Sequence, residues 1–196
     1  MNRRALAVSA IVFLAIVLGW VLFVGLPRWY GPKAPASATP QAATPGASPE
    51  VAARKITATL YYVCDDGMAL TAVQREVPYG ATVAEQARAI VQAQIAPAPP
   101  LVSAIPPETK LRDVFVTERG DAFVDLSGEV VSRHPGGSMD EIFTVYTIVN
   151  ALTTNLPAIT RVQILVDGKE VDTLAGHVDL RQPLAKSLEW VAHDTH

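Results

Sequence analysis

Residues Ser138–Gly168 read SMDEIFTVYTIVNALTTNLPAITRVQILVDG. Ile142, Val145, Tyr146, Val149, Leu152 and Leu156 recur at three- and four-residue steps, which predicts a helix with those side chains on one face. Ser138 followed by Glu141 has the spacing of a capping box, which would mark the helix start. Pro157 ends it. Val162, Ile164 and Val166 then alternate with Arg161, Gln163 and Leu165, the two-residue period of a strand with one buried face. A helix laid on a sheet buries both apolar faces at once, and the rest of the domain is expected to pack around this pair.

Towards the N-terminus, His134-Pro135-Gly136-Gly137 forms a loop into that helix. Leu111–Thr117 and Ala122–Ser127 are predicted strands of a hairpin whose turn is Glu118-Arg119-Gly120-Asp121. Residues Ala96–Pro107, APAPPLVSAIPP, are broken by prolines and can be neither helix nor central strand. Before them, Thr82 and Glu85 form a second capping-box pattern opening a helix to about Ile95, with Val83, Ala87, Ile90, Val91 and Ile95 on one face. Lys55–Cys64 and Leu70–Val77 are predicted as paired strands around the turn Asp65-Asp66-Gly67. Towards the C-terminus, Asp167-Gly168 turns into Lys169–Leu174 as a second hairpin, and His177–Leu184 is a short closing segment. The tail from Ala185 is expected to fray, with Trp190 its best docking residue. The sum is an α+β domain: a mostly antiparallel sheet with two helices on one face.

Ala5–Leu26 is a run of 22 residues without a charge, preceded by Arg3 and Arg4. That length crosses a hydrocarbon core of about 30 Å as a helix and exceeds the apolar core of a cleaved signal. Ala36-Ser37-Ala38 resembles a cleavage site but lies too far past Leu26. An uncleaved signal-anchor is therefore expected, with Trp29 and Tyr30 at the interface. Residues 32–49, PKAPASATPQAATPGASP, offer nothing to bury and predict an extended spacer. The organisation expected is a transmembrane signal-anchor over 1–28, a disordered linker over 29–54, one domain over 55–184 and a tail over 185–196. The globular part would stand outside the cytoplasm on a single-pass anchor in the cell membrane.

Residues 55–196 carry 11 Lys plus Arg and 18 Asp plus Glu, a net of 11 − 18 = −7. That balance disfavours nucleic acid, which needs a basic face to displace counterions, and no nucleic-acid partner is expected. Cys64 is the sole cysteine, so no internal disulfide can form; in a strand-like run it reads as a small buried hydrophobe.

The candidates for chemistry each have a plainer reading. His134, His177, His193 and His196 stand in no ligand or catalytic spacing and read as solvated loop and tail residues. Asp65-Asp66-Gly67 lacks the spaced oxygen ligands of a calcium loop and reads as a turn. Asp125, Glu129, Asp140 and Glu141 cluster in sequence, but Glu141 has a capping role, Asp140 sits in a first helical turn, and Asp125 alternates with Val124 and Leu126 so as to face outward. Ser127-Gly128 and Ser138 lack a nucleophile elbow, and Gly136-Gly137 lacks the Lys of a phosphate loop, reading as a sharp turn into a helix. No catalytic, cofactor-binding or metal-binding residue is expected.

The strand TATLYYV, the hairpin FVTERGDAFVDLSGEV, the segment GGSMDEIFTVYTIVNALTTNLPAITRVQILVDG and the closing AGHVDLRQPL, in this order over residues 55–184, together resemble the GerMN domain of sporulation and spore-germination proteins. The resemblance implies a non-catalytic scaffold tethered to the membrane and acting in a cell-envelope assembly of sporulation, germination or secretion type. It also implies a fold similar to ring-building modules of secretion and sporulation channels, and some members are attached to sensor-associated lipoproteins. Many relatives carry a lipid-bearing cysteine after the signal; here Cys64 lies far beyond the apolar run, so residues 5–26 would anchor instead. Partners are expected at the sheet edges, as envelope proteins or further copies. The alternatives are a wall-glycan-binding or hydrolytic module, marked by paired carboxylates in a groove, and a solute-binding accessory of a sensor, marked by an apolar pocket.

Overall fold

The structure, a computed structural model, describes residues 54–192. Chain contacts divide the protein into Met1–Ser48 and Pro49–His196, and everything below concerns the second unit. The expected anchor over 5–26, nearly all of the linker, and His193 and His196 lie outside the described residues. Among the described residues no helix is long and apolar enough to cross a membrane.

The order is β1 (Lys55–Val63), β2 (Leu70–Pro78), α1 (Val83–Ile95), β3 (Leu111–Val116), β4 (Asp121–Leu126), α2 (Glu129–Ser132), α3 (Ser138–Asn155), β5 (Arg161–Val166), β6 (Lys169–Glu170) and β7 (Leu184–Ala185). The α+β class stands, but the strands form two sheets where one was expected: the hairpin β1-β2, and β3-β4-β5-β6 with β7 also on β5. Their central pair, β4 and β5, is parallel. The reason is α3. Its 18 residues carry the chain about 27 Å back along the sheet, so β5 starts where β4 started.

The expected apolar face of α3 is too narrow a description. Phe143–Val145 and Thr147–Leu152 are all buried, while Ile142, Tyr146 and Leu156 are only half-buried. The helix touches β1, β5, α1 and β7 and is covered nearly all round. Val162, Ile164 and Val166 face it from β5, as the alternation predicts. Gln163 is buried too, on the opposite face, where its amide donates to the Leu180 carbonyl at 3.3 Å.

Helix α1 starts as predicted. The Thr82 hydroxyl accepts from the Glu85 amide and the Glu85 carboxylate returns to the Thr82 amide. Helix α3 does not. Gly137 occupies the N-cap with φ at 88°, Ser138 is already helical, and no side chain caps the end. The Asp167-Gly168 turn has both residues at positive φ, as a two-residue hairpin requires. The hairpin it opens is shorter than expected, since β6 stops at Glu170. Gly120, with φ at 84°, closes the β3-β4 turn and offers its carbonyl to the Thr160 amide at 2.8 Å, joining that turn to the start of β5.

The tail is docked rather than frayed through Ala192. Asn150, fully buried on α3, brackets Ser187: its amide donates to the carbonyl and its oxygen accepts the backbone N–H. Trp190 packs half-buried against the core, as expected, and Val191 forms a parallel bridge with Leu70.

Candidate functional site

The two long edges of the β1-β2 hairpin are treated oppositely by the rest of the molecule. Backbone groups in a strand point alternately to its two sides. The Tyr79-to-Arg54 and Cys64-to-Ala69 bonds set the phase, so Thr59, Tyr61 and Val63 point away from β2. Each has a substitute partner. The Asn155 amide, at the end of α3, accepts from the Thr59 N–H at 2.8 Å and donates to its carbonyl at 2.7 Å. Gln94, in the last turn of α1, does the same for Tyr61 at 2.9 and 2.7 Å. Val63 donates to the Val102 carbonyl of the proline loop. A side-chain amide sets a donor NH2 beside an acceptor oxygen, the pattern of a neighbouring peptide, so β1 is capped as if by a strand. Gln94 is fully buried.

On β2 the same phase aims Leu70, Ala72, Gln74, Glu76 and Pro78 outward. Leu70 is taken: its N–H donates to the Trp190 carbonyl and its carbonyl accepts from Ala192. Pro78 has no N–H to offer. Between them, Ala72, Gln74 and Glu76 are exposed and, among the described residues, make no backbone bond outside the β1 ladder. At the β3 edge the Val114 amide is held by the Asp113 carboxylate, which Arg88 of α1 pairs with in turn. That ion pair and the Val114 amide hold the Asp113 carboxyl below its usual range.

The carboxylates singled out from the sequence do not converge. Glu141 is fully buried and caps no helix. It accepts the backbone N–H groups of Leu174 (2.7 Å), Ala175 (2.9 Å) and His177 (2.7 Å), with His177 Nδ1 at 3.2 Å. Burial pushes its carboxyl up, but the backbone donors outweigh this and hold it below the ordinary glutamate value. The expectation for Asp125 is also overturned: it is buried, not outward-facing, because it accepts the Gly168 amide at 2.7 Å and Arg112 Nε at 3.0 Å. Arg112 also reaches Asp167 at 3.3 Å. Glu129 is engaged by Ser127, which lowers its carboxyl. Asp140 is exposed in the first turn of α3.

The loop residues behave more locally. The Asp66 carboxylate accepts the Met68 amide at 2.9 Å, with Gly67 at φ 70°, which is a turn closing on itself. His134 is half-buried rather than solvated: Nδ1 accepts the Gly136 amide at 3.0 Å, and Nε2 lies 3.3 Å from Thr144 Oγ1, which donates to the Ala104 carbonyl. His177 is exposed beside Glu141. Ser127 and Lys110 are bonded through the serine hydroxyl and both backbones. Ser138 is exposed in the first turn of α3, and Gly136 and Gly137, both at φ 88°, make the sharp turn into that helix. Cys64 is half-buried, and burial, then Asp66 and Asp65, push its thiol up, away from the reactive thiolate. Among the described residues no group of three or more His, Cys, Asp or Glu is placed to hold a metal.

A groove of about 790 Å³ runs along the proline loop, lined mainly by Ile95, Pro97, Ala98, Leu101, Ile105 and Leu111. Glu108 and Lys110 are its charged members.

Sequence reasoning missed Gln94 and Asn155. A signal existed for the first: Gln94 follows Ile90 by four residues and Val91 by three, so it lies on the apolar face of α1, where a polar side chain needs a partner.

Among solved structures, the tandem GerMN domains of the sporulation protein GerM from Bacillus subtilis are 20% identical, with a TM-score of 0.53 over 67% of this chain and 46% of that one. The first GerMN domain of the same protein is 19% identical, with a TM-score of 0.49 over 68% of this chain and 98% of that one. A protein described as a lipoprotein from Clostridium perfringens is 26% identical, with a TM-score of 0.48 over 67% of this chain and 88% of that one. The chain thus spans about half the length of the tandem-domain structure, whose likeness carries the fold. No curated protein matches the chain. The Germane family, described as sporulation and spore germination, matches residues 59–172, more than half of the sequence, and the chain belongs to that family.

Proposed function

We propose that this protein is a non-catalytic envelope component, held at the cell membrane by residues 5–26, spaced from it by residues 29–54, and presenting the domain from residue 55 outside the cytoplasm to bind other proteins. The family's sporulation and germination description supports an envelope role. The observation that carries the reading is the asymmetry of the β1-β2 hairpin. One edge is closed by Gln94, Asn155 and Val102, while the other leaves the outward-facing Ala72, Gln74 and Glu76 able to accept a strand. Nucleic acid is not the partner, since the domain is acidic.

The test is chemical crosslinking of the full chain in intact envelopes, comparing wild type with Gln74→Pro. That substitution removes an outward donor and leaves the β1 ladder intact, so crosslinked species are expected to disappear while thermal unfolding is little changed. Unchanged crosslinking would remove the edge from the reading. Glu76→Cys labelled in intact cells by a membrane-impermeant maleimide checks the side of the membrane; protection from the reagent would place the domain in the cytosol and defeat the proposal.

The groove favours a second reading, an accessory that takes an apolar solute. Saturable binding of an apolar fluorescent probe, abolished by Ala98→Trp, is its expected mark.

A further inference from the structure

The open part of β2 has a symmetry of its own. Its outward-facing residues are Ala72, Gln74 and Glu76, bounded by Leu70, which the tail occupies, and by Pro78, which has no N–H. The middle of that window is Gln74, with one outward-facing residue on either side. An antiparallel strand placed there across a two-fold axis meets the same window in reverse.

We propose that β2 pairs with β2 of a second copy of this chain, antiparallel, with the two-fold axis at Gln74; this rests on the edge-binding reading above and names its partner. Gln74 then faces Gln74 of the partner copy, and Ala72 faces the partner's Glu76, each pair exchanging two backbone bonds. On the other face Val73 meets the partner's Arg75. No like charges are directly opposed, so the facing pairs are compatible in charge as well as in bonding. The pairing joins two hairpins into one four-stranded sheet and covers the half-exposed Val73. Closure of the β1 edge by Gln94 and Asn155 limits the growth of this sheet to two copies. A contact of five residues a side is small, so the dimer is weak and concentration-dependent.

The experiment uses the full chain in its membranes, in a Cys64→Ser background, with a single cysteine at position 74 or at position 76 and mild oxidation. Directly paired residues lie about 5.5 Å apart at Cα, within reach of a disulfide. Two copies of position 76 lie four residues out of register, about 14 Å apart, and cannot be bridged. Gln74→Cys is expected to give a disulfide dimer of twice the chain mass, and Glu76→Cys at least about tenfold less, although both positions are exposed. Equal yields would mean random collision and overturn the proposal. An adduct of Gln74→Cys with a different protein would overturn the second copy as partner and leave edge binding standing; no adduct of any kind overturns the second copy, and edge binding is then decided by the Gln74→Pro crosslinking. A dimer that forms only when residues 193–196 are deleted would make the chain's own tail the natural occupant and overturn the proposal equally. Matching circular dichroism of the two variants shows that folding is not the variable.

Discussion

Glu141 joins two segments that share no sheet. One buried carboxylate takes three backbone donors from the loop at 174–177 and so fixes that loop against the first turn of α3. Glu141→Gln replaces one acceptor oxygen by a donor that faces N–H groups, and it should cost about 2–3 kcal/mol in denaturant unfolding. Its folded carboxyl lies below the unfolded value, so the stabilisation is complete above the ordinary glutamate pKa of about 4.3 and is lost as pH falls from there through the folded value. The wild type should therefore lose stability below about pH 4.3 more steeply than Glu141→Gln, as urea midpoints over that range would show. Cys64 carries the opposite shift, and its thiol should react with a disulfide reagent at pH 7 more slowly than an unperturbed cysteine. Gly120→Ala places a Cβ 2.9 Å from the Ala158 carbonyl at a positive φ, and should cost about 1–3 kcal/mol in the same unfolding measurement. Sequence spacing found Glu141 but gave it the wrong task. A glutamate three residues after a serine fits a capping box, yet the double glycine before Ser138 lets the chain turn so tightly that Gly137 takes the cap position.

Among elements, the helices and long strands were legible because their periods are strong: α1 has both the predicted cap bonds and the predicted apolar face at Ala87, Ile90 and Val91. Strand direction was not legible. Antiparallel neighbours follow from short turns, and all three hairpins conform, but whether β5 runs with or against β4 depends on how far the connecting α3 travels. Separation into two sheets was hidden for a related reason. Nothing in β1 itself says that its second edge meets helix-borne amides, 96 residues away for Asn155 and 33 for Gln94. Asn155→Ala or Gln94→Ala should each cost about 1–3 kcal/mol, since a backbone donor and acceptor lose their partners. The double variant should also self-associate through β1, seen by light scattering as species larger than the parent.

For the whole molecule, one continuous core links both sheets, with Leu60 and Tyr62 of β1, Ile90 of α1, Ile148 and Leu152 of α3 and Ile164 of β5 all buried in it. The tail belongs to this unit: Asn150→Ala should leave Ser187 unpartnered and lower the melting temperature of the entire domain in a single transition. The candidate site was legible only as a type, an open sheet edge, because which edge stays open is decided by residues far apart in the chain. The latches on β1 have a kinetic corollary. Gln94 and Asn155 sit at the C-terminal ends of their helices, where unwinding begins, so the backbone hydrogens of Thr59 and Tyr61 are released only when a distant helix end frays. Deuterium uptake at those two positions would time the opening of two helices rather than of the strand that carries them.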